Sequence, residues 1–62
     1  MNIVDDLKAQ AQQKRDMAAN LRRIATSISL PTDKALLDHQ AEELEADAVR
    51  LEAKAERYTA QA

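Results

Sequence analysis

The sequence predicts an all-α fold: an antiparallel two-helix hairpin with alanine and leucine in alternating heptad layers, dimerising into a four-helix bundle. Three observations carry this expectation. Two long stretches, about residues 2–28 and 32–61, are dominated by Ala, Leu, Glu, Gln, Lys and Arg, all strong helix formers. A single break, SISLPTDK, lies between them and holds the chain's one proline. Both stretches repeat every seven residues, with a small side chain at one core position and a large one at the other.

In the first helix Val4, Ala11, Ala18 and Ala25 occupy position a of the repeat, and Leu7, Lys14, Leu21 and Ile28 occupy position d. The turn is expected at about residues 29–32. Pro31 disfavours a helical Leu30 and cannot extend a helix that precedes it. Two starts for the second helix fit the chemistry: Thr32 as a cap, or Pro31 as the first helical residue with Asp33 in the first turn. Either way the connection is a few residues long, so the helices must run back against each other. The second helix places Lys34, Ala41, Ala48 and Ala55 at a, and Leu37, Leu44, Leu51 and Tyr58 at d. Small residues at a let the backbones approach closely, while large residues at d fill the layers between them. All of these except the two lysines make up the expected packing core. Such layering suits antiparallel helices better than a parallel zipper, which prefers branched residues at a.

The flanks give the register. Position e carries Lys8, Arg15 and Arg22 in the first helix, and Asp38, Glu45 and Glu52 in the second. In an antiparallel pair e meets e, so with Leu21 opposite Leu44, Arg22 approaches Glu45 and Arg15 approaches Glu52. Surface pairs of this kind add little stability, but they fix orientation. Position g of the first helix differs, carrying Ile3, Gln10, Met17 and Ile24. Ile3, Met17 and Ile24 widen the apolar stripe beyond what one partner helix covers, and mark a dimer face. A lone hairpin of this length buries too little to offset the ordering of its chain, which also argues for a second copy. Lys14 breaks the pattern at d. It is a device that selects register or oligomer, a side chain whose stem lies on the core while its ammonium reaches water or Asp47, or a ligand-binding group.

Composition excludes several classes of function. The 62 residues contain no Gly and no Cys, which removes phosphate-cradling loops, disulfides and most structural zinc sites. The sole histidine, His39, sits at the exposed f position. Although Glu42 and Glu43 follow it, the solvated reading is preferred and no metal or cofactor is expected. The acids Glu42, Glu43, Glu45 and Asp47 lie on a smooth helical hairpin that offers no cleft for acid–base work. No catalytic residues and no small-molecule substrate are therefore assigned. A net charge of −2 does not point to a strongly nucleic-acid-binding surface. No apolar run approaches the roughly 20 residues that span a bilayer, so no membrane partner is expected. Acids near the start, where a secretory leader would carry bases, make the cytoplasm the expected location.

The frame LDHQAEEL, residues 37–44, with its L-x-x-x-A-x-E-L spacing, resembles the second helix of the Rop (repressor of primer) family of plasmid regulators. The architectural likeness covers nearly the whole chain, whereas the sequence likeness covers only those few residues. The resemblance implies a homodimeric antiparallel four-helix bundle. It also implies RNA as a partner, bound on the first helices by polar and basic side chains around an aromatic residue. In this chain the basic candidates are Lys8, Arg15, Arg22 and Arg23, and the one aromatic residue, Tyr58, lies in the second helix. Two functions follow as expectations. The first is a non-catalytic interaction or adaptor module that pairs with itself and with another protein. The alternative is a Rop-like RNA-binding regulator acting through the first helix.

Overall fold

The computed structural model describes residues 2–61, so residues 1 and 62 of the expected hairpin lie outside it. Two helices, α1 (Ile3–Thr26) and α2 (Pro31–Gln61), pack against each other as a hairpin, and the described residues contain no strand. The result is a rod with principal extents of 49 × 16 × 10 Å.

Helix α1 starts on Asn2, whose extended backbone and side-chain oxygen cap the first turn. Val4 N–H donates to Asn2 Oδ1 at 2.8 Å. Asp5 and Asp6 follow, where carboxylates face the positive end of the helix dipole. The helix ends at Thr26, two residues before the expected limit at Ile28. The Thr26 hydroxyl donates to the Arg23 carbonyl at 2.6 Å, and Ser27 N–H turns to the Ile24 carbonyl at 3.0 Å, tightening the last turn. Ile28 therefore sits half-buried in the connection rather than on a helical d position.

Of the two expected starts for α2, the structure takes Pro31 as its first residue. The Leu30 carbonyl accepts the first helical bond, from Lys34 N–H at 3.0 Å, and the ring occupies a position whose N–H has no partner in a helix anyway. Thr32 lies inside the helix, so the connection is residues 27–30. No described residue has a positive φ, so the reversal needs no glycine.

The buried core is Leu7, Ala11, Ala18, Ala25, Ala41, Ala48 and Ala55. Every alanine at a is at most 3% exposed, and Ala41, Ala48 and Ala55 are fully buried. The remaining expected core residues divide. Val4, Leu21, Ile28, Leu37, Leu44 and Leu51 are half-buried, and Tyr58 is exposed at 38%. Tyr58 thus departs from the core assignment. It stands opposite Leu7 at the open end of the hairpin, where α1 begins and little chain remains to cover a large ring.

Candidate interaction face

The two faces of the hairpin follow from helix geometry. With 3.6 residues per turn, e lies about 40° to one side of a and d about 60° to the other. When alanine a points straight at the neighbouring helix, e residues of both helices share one face and d residues share the opposite one.

The e face is closed by ion pairs in the expected register. Arg15 grips Glu52 with two bonds, Nη2 to Oε1 at 2.5 Å and Nε to Oε2 at 3.2 Å. Arg22 Nη2 donates to Glu45 Oε1 at 2.6 Å. Hydrogen bonding to Arg15, reinforced by its charge and opposed by desolvation, holds the Glu52 carboxyl below its ordinary value. Hydrogen bonding to Arg22 does the same for Glu45, again against desolvation. Both guanidinium groups are pushed up in turn by those hydrogen bonds and then by the glutamate charges. Among the described residues Lys8 and Arg23 make no ion pair, and Arg23 instead donates to Asn20 Oδ1 at 3.3 Å. The four basic candidates thus do not form a common free patch: two are committed to α2, Lys8 lies exposed on the e flank, and Arg23 points outward from f.

The d face is apolar. Leu21, Leu37, Leu44 and Leu51 lie half-buried along it, and the g residues of α1 extend it outward: Ile3 is 50% exposed, Met17 53% and Ile24 45%. Lys14 is half-buried on this face and lines an open groove with Gln10, Asp47, Arg50, Leu51 and Lys54. It makes no ion pair among the described residues, and Asp47 is held instead by Arg50, one turn along the same helix. His39 Nε2 lies 3.1 Å from Glu43 Oε1, an exposed pair within α2. No group of three His, Cys, Asp or Glu side chains among the described residues is placed to hold a metal.

The outer flank of α2, positions c and g, changes sign along its length. Glu43 and Asp47 come first, then Arg50, Lys54 and Arg57. Taken position by position, these charges look like ordinary solvated residues. Their polarity is visible only once c and g are read together as one strip. A further apolar residue, Leu36, stands 56% exposed near the turn on the same strip.

No protein-family model matches the chain, and comparison with curated proteins and with solved structures finds no match. The geometry itself defines a helical hairpin with one ion-paired polar face and one leucine-lined apolar face. No described helix is long and apolar enough to cross a membrane.

Proposed function

We propose that the chain is a non-catalytic helical interaction module that works as a homodimeric four-helix bundle. Its leucine face packs against a second copy, and its outer faces are left to a further protein partner. The observation that supports this most is the surface that the lone hairpin leaves in water. It exposes 4618 Å², against about 4000 Å² for a compact monomer of 6.9 kDa. The surface left open includes chemistry that disfavours water: four half-covered leucines flanked by Ile3, Met17 and Ile24. The excess is of the order that each partner contributes to a standard interface, roughly 800 Å². Packing two such faces together makes the layered core of a four-helix bundle, with alanine seams inside each hairpin and leucine layers between them.

Sedimentation equilibrium or light scattering across a micromolar concentration series tests the reading. The expected result is a species of twice the 6.9 kDa chain mass. A cooperative, fully helical monomer throughout the series would overturn it. A mobility shift against structured RNA runs in parallel. Binding that falls steeply with salt would move the assignment to an RNA-binding regulator of the Rop type. The commitment of Arg15 and Arg22 to Glu52 and Glu45 weighs against that outcome.

A further inference from the structure

We infer that the groove around Lys14 is a binding site for an amphipathic anion, a carboxylate head on a linear aliphatic chain, which competes with a second copy for the leucine face. The site is argued from the single hairpin; only the competition rests on the dimer proposed above.

The d and g residues of α1 are apolar, Ile3, Leu7, Met17, Leu21 and Ile24, with two exceptions. The exceptions are Gln10 and Lys14. They stand four residues apart, so they are neighbours on one side of the helix. Both line the same groove. Polar groups set into an apolar face cost desolvation when that face is covered, unless something of opposite chemistry answers them. Lys14 is half-buried there, and no carboxylate of the described residues pairs with it. The Gln10 amide donates one hydrogen to Asp6 Oδ2 at 3.1 Å and keeps a second for another acceptor.

The opposite wall adds to the same charge. Arg50, Lys54 and Arg57 follow at i, i+4 and i+7 along the flank of α2, so one strip of that helix presents all three to the groove. Asp47 is the single acid lining it, and Arg50 is its partner. Lys14, Lys54 and Arg57 make no ion pair among the described residues. The contrast is with the other face of the hairpin, where Arg15 and Arg22 are taken up by Glu52 and Glu45. In a chain of net charge −2, three unanswered cations from two helices thus converge on one groove. They call for an anion.

The remaining lining calls for an apolar body. Leu51 stands opposite Lys14, Ala53 leaves room beside it, and the stems of the lysines and arginines are themselves aliphatic. The groove encloses about 510 Å³, within the roughly 300–1,000 Å³ of small-ligand sites. Beyond Leu51 the half-buried row continues to Leu44, two turns and about 10 Å away. A medium-length aliphatic chain spans that reach. No aromatic side chain lines the groove, so a nucleobase finds no ring to stack on. A linear chain on a single anionic head meets both halves of the lining at once. A second copy packed on the leucine face covers Leu51 and Lys14, so chain and copy exclude each other. The ligand therefore shifts the protein toward single hairpins.

The test uses hexanoate, octanoate and decanoate below their micelle concentrations, added to the full ¹⁵N-labelled chain and followed by NMR. Saturable shifts should centre on Lys14, Leu51 and Lys54, and the affinity should rise about two- to fourfold per added methylene. Decyltrimethylammonium, with the same tail and the opposite charge, should not bind the groove. Lys54→Gln with Arg57→Gln changes two exposed residues and should leave the helical circular dichroism intact, yet bind decanoate roughly fivefold or more weakly, the loss of two surface ion pairs. In sedimentation equilibrium, decanoate should raise the monomer fraction of the natural chain more than that of this variant. Equal binding of the cationic amphiphile would overturn the anion site. Affinity independent of chain length would overturn its apolar half. Binding to anionic phospholipid vesicles with none to free decanoate would replace the free ligand by a membrane surface and overturn the assignment. A dimer that binds no decanoate would overturn the site and leave the dimer standing, while a monomer that binds it would do the reverse. Binding that leaves a dimer undisturbed would overturn the competition.

Discussion

Replacing Ala48 by leucine should destabilise the protein, although the heptad pattern alone would call for a large residue there. Ala48 is fully buried against α1. Leucine adds three carbon atoms at a point where the facing surface is the seam of α1, which carries Ala18 at the same height. Burying a leucine in available space would contribute about 1.5–3 kcal/mol, but no such space exists at this position. The helices must separate, which uncovers Ala18 and Ala41 and stretches the Arg15–Glu52 and Arg22–Glu45 pairs, or the new side chain must leave its preferred rotamer. Overpacking of this kind costs typically 1–3 kcal/mol. For a chain of this size, 1 kcal/mol moves the melting temperature by about 4–8 °C, so a fall of roughly 5–20 °C is expected. The control is Ala46→Leu, two residues away on the exposed face, where leucine is almost as good a helix former as alanine and the change should stay within about 0.5 kcal/mol. Both variants are melted by circular dichroism at one protein concentration. If Ala48→Leu melts at or above the natural chain while Ala46→Leu is neutral, the seam is not close-packed and the account of the two faces fails with it.

Other expectations follow from the same geometry. Lys14→Leu supplies the apolar residue that the repeat lacks and should raise stability by roughly 1–2 kcal/mol in a thermal melt. A clear loss instead would mean that the ammonium makes a specific pair. The same variant should broaden the assembly toward mixed oligomers by light scattering, since a polar core residue no longer selects one. Reversing Arg15 and Glu52 together should recover most of what either single reversal loses at low salt, and a double-mutant cycle without coupling would refute the pairing. Acid should weaken the fold through Glu45 and Glu52. Their carboxyls are depressed below the ordinary 4.5, so their contribution is fully present above about pH 5 and lost as pH falls through the folded values. The chain with Arg15→Ala and Arg22→Ala should show a shallower loss between about pH 5 and pH 3, and an unchanged acid slope would count against the assigned cause.

Much of this fold is legible in the sequence, because the deciding features are local or periodic. Pro31 marks the reversal, the helix-forming composition marks both arms, and the e residues carry opposite signs at matching heights, so the ion pairs can be read before any coordinates. The end of α1 was less legible: Ile28 keeps the heptad spacing, and only the hydrogen bonds of Thr26 and Ser27 show that the helix has stopped. The interaction face was half legible. Ile3, Met17 and Ile24 stand out as surplus apolar surface, but the repeat alone places Leu21, Leu37, Leu44 and Leu51 in the hairpin's own core. The reason lies in the alanines. With large residues at both a and d, the seam runs between the two positions and each is covered by the neighbouring helix. With alanine at a, the helices approach until a points directly across, and d swings about 60° away from the contact. Apart from Leu7, which is buried, the leucines are then too far round to be fully covered by a single partner helix and too apolar to suit water. The small residues that close the hairpin are thus the cause of its open apolar face. The repeat shows which residues are large. How far they turn outward depends on the distance between the helices, and the alanines set that distance.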